Sequence, residues 1–176
     1  MKLNFLALLV IIISFTSFAQ DKQQINNNKN QVTTLYFIRH AEKDRTDKTN
    51  RDPHLTDTGQ ARAEHWNAIL KHVNFDAVYS TNYHRTKETA SPIANRCKLD
   101  LTIYNANDLD GTKLVTSNLG KTVLMVGHSN TTPKFVNSVI GQDNYQDIED
   151  NNNGNLYIVT IVDNIIIDQV LEINPR

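Results

Sequence analysis

The sequence predicts an α/β fold: a mostly parallel sheet with helices on both faces and a C-terminal hairpin. Three observations carry this. Short β-branched and aromatic runs alternate with longer segments of helical spacing, the pattern of strand–helix–strand units. The strongest runs, VTTLYFI (32–38) and KTVLMVG (121–127), are apolar over most of their length, as strands covered on both faces must be. Two further runs, NLYIVTIV and IIIDQVLEI, flank Asp163-Asn164, a residue pair suited to a tight antiparallel turn.

The elements follow in order. MKLNFLALLVIIISFTSFAQ opens on Lys2, runs apolar from Phe5 to Ile13 and ends in Ser17-Phe18-Ala19. This reads as a secretory signal peptide over residues 1–19, which implies a secreted or periplasmic protein with no membrane contact after cleavage. The alternative, a retained anchor, needs about 20 apolar residues, and this run is shorter. Residues 20–31, QDKQQINNNKNQ, are polar and Asn/Gln-rich and read as a disordered tether. The folded domain is expected over 32–176. Its first strand, Val32–Ile38, meets a charged loop, Glu42–Pro53. LTDTGQARAEHWNAILKHV is a helix, with Thr56 or Asp57 as its cap and Gln60 completing a capping box. FDAVYS is the second strand and YHRTKETASPIANRC the second helix, where Pro92 predicts a kink or a delayed start. LDLTIY is the third strand. LDGTKLVTSNLG is a weaker helix closed by Gly120. KTVLMVG is the fourth strand, and NTTPKFVNSVIG is a helix with Pro133 in its first turn and Gly141 at its end.

Composition narrows the function. The chain has 18 basic and 19 acidic residues, net −1, so no basic field exists for nucleic acid. The single cysteine, Cys97, excludes an intrachain disulfide and reads as a packing residue. A site for an anion has to be a local cluster.

That cluster lies at predicted strand ends, where open α/β sheets bind ligands. The first strand ends at Arg39-His40, the second leads to Arg85 at the start of a helix, and the fourth ends at Gly127-His128. Guanidinium forks match phosphate oxygens, and helix N-termini after the second and fourth strands add N–H groups. A neutral imidazole beside them can attack phosphorus and hold the phosphoryl group until water releases it. Singly, each residue has a plain alternative: a surface cation for Arg39, a structural histidine for His40, a helix residue for Arg85, a cap for His128. Their joint placement favours a site for a small phosphorylated substrate.

FIRHAEK, LTDTGQARA, VYSTNYHRTKETA and VLMVGHSNTTP, in this order, resemble the histidine phosphatase superfamily, which includes phosphoglycerate mutases and phosphohistidine phosphatases. The resemblance implies a three-layer α/β/α sandwich, a phosphohistidine intermediate on His40, and phosphoryl binding by Arg39, Arg85 and His128, without cofactor or metal. Departures are Ala41, where the family often has glycine, and Thr46, where mutase-like members often have asparagine. The mutases' long insertion with its acidic proton donor is absent.

A phosphoester leaving group needs a proton. The candidates are Glu42, beside the nucleophile, and Asp108 or Asp110; the other reading of Asp108 is a helix cap. Glu42 and Lys43 are also candidate substrate contacts, and His54 is a candidate for the pocket mouth. His65 and His72 lack the i, i+4 spacing of a helical zinc pair. A metal hydrolase built on His40, His84 and His128 lacks a carboxylate-rich ligand set. The competing class is a phosphate-binding module of the same fold without turnover.

Overall fold

The first strand sets the frame. In a computed structural model that describes residues 31–174, β1 (Val32–Arg39) lies between β4 (Thr122–Gly127), which it pairs in parallel, and β5 (Asn155–Val162), which it pairs antiparallel. The expected leader, and the tether up to residue 30, lie outside the described residues. With β2 (Ala77–Thr81), β3 (Leu101–Tyr104) and β6 (Ile165–Glu172), the sheet order is β3-β2-β4-β1-β5-β6. The strands β1 to β4 run parallel, and β5 and β6 form the expected hairpin. Asp163 takes the turn at φ 54. The register sets Arg39 opposite Gly127. The two chain segments therefore leave the sheet together, and their next residues are His40 and His128.

Strand side chains alternate between faces, and the two cores follow that alternation. Leu35 and Phe37 pack with Met125, Leu114, Phe135 and Val136, beneath α3 (Gly111–Ser117) and α4 (Thr131–Ile140). On the opposite face Ile38, Leu124 and Val126 pack with Trp66 and Ile93, beneath α1 (Asp57–Ile69) and α2 (His84–Cys97). The result is the three-layer α/β/α sandwich. Cys97 packs at the margin of this second core.

Local chemistry departs from expectation at several helix ends. Thr56 alone caps α1, accepting from the Gly59 N–H at 3.1 Å, so the third helical position falls on Gly59 and the Asp57–Gln60 box does not form. The second helix starts at His84 without delay and continues through Pro92. Asp110, not Asp108, caps α3, accepting from the Lys113 N–H at 2.9 Å. That helix ends at Ser117, ahead of Gly120. Gly141 closes α4 as expected, at φ 69.

Gly59 has a steric reason tied to the site. A Cβ there would stand 2.2 Å from the carbonyl oxygen of Glu42, two residues beyond His40. That same oxygen accepts the Thr56 N–H at 2.9 Å, so it cannot retreat freely. Gly59→Ala is expected to destabilise the fold by about 1–3 kcal/mol or more, the scale of overpacking against fixed backbone. A urea titration of parent and variant checks it.

Candidate active site

The four residues at the strand ends converge. Arg39, His40, Arg85 and His128 line one cleft of about 910 Å³, together with Lys43, Thr81, Tyr83 and Asp150. The first turns of α2 and α4 open onto it, since Tyr83 and Arg85 at one helix start and Asn130 and Thr131 at the other are in its wall.

His40 is almost fully buried and held from three sides. Its N–H donates to the Gly127 carbonyl at 2.9 Å, and its carbonyl accepts from Asn153 Nδ2 at 2.8 Å. Its Nδ1 lies 2.7 Å from the Ala41 carbonyl. A carbonyl only accepts, so Nδ1 carries the proton and Nε2 keeps its lone pair. Burial, outweighing the bond to Ala41, lowers the His40 pKa to about 3, with His128, Arg39 and Arg85 adding to the shift. The imidazole is neutral at physiological pH, which is the form a nucleophile requires. Ala41 is not among the residues at positive φ. The family's glycine is therefore not needed for backbone reasons, and the Ala41 N–H donates to Thr89 Oγ1 at 2.9 Å.

His128 faces His40 edge-on, with ring centroids 5.5 Å apart. Its Nε2 shares a hydrogen bond of 3.0 Å with Thr81 Oγ1, which in turn meets Thr86 Oγ1 at 2.9 Å. Burial first, then Arg85, Lys43 and Arg39, lowers its pKa to about 4. The cleft thus holds two neutral imidazoles among fixed cations.

The two arginines are not equivalent. Arg39 is only 2% exposed. Its Nη1 donates to the carbonyls of Glu149 (2.8 Å), Asp150 (3.2 Å) and Asn152 (2.9 Å), and its Nη2 donates to Asp150 Oδ1 at 3.0 Å. Arg85 has longer links, 3.5 Å to the Arg51 carbonyl and 3.6 Å to Asp52 Oδ1, and its guanidinium lies over the Tyr83 ring. In both, the Nε–H is buried without a partner. Orphaned cationic donors of this kind are costly unless a ligand supplies acceptors. Burial lowers both guanidinium pKa values, partly offset by Asp150 for Arg39 and by Asp52 for Arg85; arginine nevertheless stays charged.

The acid candidates fare differently. The Glu42 carboxylate is clasped by Arg62, with Nε at 2.8 and 2.9 Å and Nη2 at 2.7 Å, and it is not in the cleft wall. Asp108 lies in a neighbouring depression of about 300 Å³ that Asp110 shares, so it neither caps α3 nor faces His40. Asp150 does line the cleft, but hydrogen bonds from Arg45 and Arg39 hold its pKa below the ordinary carboxylate value. Lys43 lines the cleft as expected, and burial together with Arg85 and Arg45 lowers its pKa. His54 lies outside the cleft wall, and so does Thr46.

Sequence reasoning missed Thr81, Asn153 and the carbonyls of residues 149–152. Thr81 stands inside a motif already singled out, next to a predicted strand end. Asn153 and the carbonyls had no signal, because their role arises from a loop that the fold brings back over β1.

The depressed histidine pKa values have a stability consequence. The unfolded chain binds protons near pH 6.5, the folded one only near 3 to 4, so stability rises with pH across that window. It is complete above about 6.5 and is lost as pH falls towards 3. A His40→Gln/His128→Gln double variant is expected to show a flatter loss of urea midpoint between pH 6.5 and 4 than the parent. An equally steep loss would mean that these histidines are not buried neutral.

Comparison with known proteins agrees with this geometry. Residues 35–110 match the profile described as "Histidine phosphatase superfamily (branch 1)". No curated protein matches the chain. Among solved structures, phosphoglycerate mutase from Bacillus anthracis is similar with a TM-score of 0.62 and 15% identity, over 81% of this chain and 93% of that one. A phosphoserine phosphatase variant from Entamoeba histolytica, solved with phosphoserine, has a TM-score of 0.58 and 19% identity, over 77% and 94%. An Agrobacterium tumefaciens protein assigned as the phosphohistidine phosphatase SixA has 0.58 and 16%, over 78% and 97%. At these identities the likeness is one of fold. The profile match spans the strand that ends in Arg39-His40 and the helix that begins at His84, so over this part the chain is similar to the histidine phosphatase superfamily, and the solved structures share its fold.

Proposed function

We propose that the protein is a phosphatase that hydrolyses a phosphomonoester or a phosphohistidine through a phosphohistidine intermediate on His40. The observation that supports this most is the state of His40: a neutral imidazole with Nδ1–H on the Ala41 carbonyl and Nε2 unprotonated beside two arginines. Nε2 attacks phosphorus and the P–O or P–N bond to the leaving group breaks with its electron pair going to that group; water then attacks the phosphohistidine, the P–Nε2 bond breaks with its electron pair returning to Nε2, and the water's proton leaves with the released phosphate or to solvent. The orphaned Nε–H groups of Arg39 and Arg85, with Lys43 and His128, take the equatorial oxygens. These fixed cations do the neutralising work, so the proposed steps use no metal.

Of the acidic groups near the site, Glu42 is bound by Arg62, Asp108 and Asp110 lie outside the cleft wall, and Asp150, which lines it, is held ionised by Arg45 and Arg39. This favours substrates whose leaving group needs little protonation, such as phosphohistidine or an aryl phosphate, over alkyl esters. The competing reading is a phosphate-binding module, favoured by the same lack, among the described residues, of a free acid in the cleft. A panel of phosphoesters and phosphohistidine peptides, with and without chelator, separates the two. Turnover that persists in chelator, faster for phosphohistidine and aryl phosphate than for alkyl phosphates, supports the phosphatase. Tight vanadate binding without turnover of any substrate supports the module.

The sequence of residues 1–19 supports export, which would direct the activity to an envelope or extracellular phosphate source. Among the described residues no helix is long and apolar enough to cross a membrane. Mass spectrometry of the protein from its own cells checks this: a mature N-terminus at Gln20 is expected, and an intact Met1 in a soluble cytoplasmic fraction would overturn it.

A further inference from the structure

From sequence, His65 and His72 lacked a helical zinc spacing, and a metal site on His40, His84 and His128 lacked carboxylate ligands. The fold assembles one from two segments. His54, at the end of the 42–55 loop, stacks on His84, in the first turn of α2, with ring centroids 4.0 Å apart. Glu88, one turn further along that helix, meets His54 Nδ1 through Oε1. One ligand atom from each of His54, His84 and Glu88 falls within a span of 4.8 Å. In a tetrahedral zinc site with bonds of about 2.0–2.2 Å, ligand atoms are roughly 3.3 Å apart. To share one ion the His54 Nδ1–Glu88 Oε1 contact opens and the stacked rings turn, so that the three ligand atoms reach that spacing.

We infer that His54, His84 and Glu88 bind a late first-row divalent cation such as zinc, which clamps the 42–55 loop to α2. Two imidazoles and a carboxylate suit such an ion and not calcium or magnesium, which want oxygen ligands. The carboxylate ligand is also oriented from behind, as metal ligands usually are, and Asp52 holds the backbone that carries His84. Glu88 Oε2 accepts the Leu55 N–H at 2.8 Å, fixing the carboxylate to the loop. Asp52 Oδ1 accepts the His84 N–H at 2.8 Å, while its Oδ2 lies 3.8 Å from His84 Nε2. The His54 and His84 side chains are 63% and 47% exposed, so the ion can enter from solvent and keep a water as its fourth ligand. The three ligands lie outside the wall of the phosphate cleft. The clamp would join two neighbours of that cleft, since His84 precedes Arg85 and the loop begins just after His40. The site is independent of the phosphatase reading, because its ligands take no part in the proposed chemistry.

The test is zinc binding by the untagged, chelator-stripped protein, measured by competition with a chromophoric chelator, with cobalt absorption as a second readout. One equivalent is expected, with the tetrahedral cobalt spectrum of a nitrogen and oxygen ligand set and a melting temperature that rises with zinc. His54→Gln, His84→Gln and Glu88→Gln are each expected to weaken binding at least about tenfold and to abolish the thermal shift. His40→Ala is expected to bind zinc like the parent. No stoichiometric binding, or binding that follows His40 and is indifferent to the three ligands, would overturn the assignment. Because the readout is binding and not turnover, a failed phosphatase reading leaves this result unaffected.

Discussion

Replacing His40 by alanine should lower turnover by at least about three orders of magnitude, the scale seen when a nucleophile is removed from a covalent mechanism. The fold should survive, because the ties around His40 run largely through backbone: its N–H to Gly127, its carbonyl to Asn153 and the Ala41 N–H to Thr89. Alanine keeps all of them. The variant should also bind vanadate non-covalently, since Arg39, Arg85 and His128 remain. Steady-state kinetics on the best substrate of the panel, with a melting curve on the same preparation, separate lost chemistry from lost structure. Near-parental turnover in a folded variant would remove His40 from its proposed role.

Arg39→Lys should damage the protein in two ways, and Arg85→Lys in one. The Arg39 guanidinium ties three carbonyls of the 149–152 loop while its buried Nε–H awaits a ligand. Lysine offers a point charge without the fork. Losing these part-buried hydrogen bonds to a charged donor costs about 1.5–3 kcal/mol each, so the melting temperature should fall together with turnover. Arg85 makes only the longer contacts to Arg51 and Asp52. Its lysine variant should lose turnover and vanadate affinity, by about 100-fold or more in rate if the fork stabilises the transferring group, with little change in melting temperature. Equal thermal losses for the two variants would contradict the division of labour between them.

These contrasts mark what the sequence could and could not convey. Strand and helix order was legible because buried parallel strands leave apolar runs and amphipathic helices leave a 3.6-residue period. The convergence of Arg39, His40, Arg85 and His128 followed, since ligands gather where parallel strands end. Helix caps were less legible: Asp57, Thr56, Asp108 and Asp110 are all competent caps, and only backbone geometry selects Thr56 and Asp110. The fate of Glu42 was hidden because its partner, Arg62, stands twenty residues away on α1. The carbonyl ties from the 149–152 loop to Arg39 were hidden for a stronger reason, since backbone carbonyls have no sequence signature. The His54–His84–Glu88 cluster was missed because its members come from a loop and a helix thirty residues apart in sequence, a spacing that matches no local metal motif.

The most direct test of the central claim is whether substrate phosphate becomes bonded to His40. The protein is mixed briefly with its best substrate, quenched in base and digested, and the peptide carrying His40 is examined by mass spectrometry before and after mild acid. The mechanism predicts one added phosphoryl group on His40, stable in base, lost in acid and absent from the His40→Ala variant. Turnover of the same substrate with no such adduct at any quench time, or with the phosphoryl group on another side chain, would contradict it.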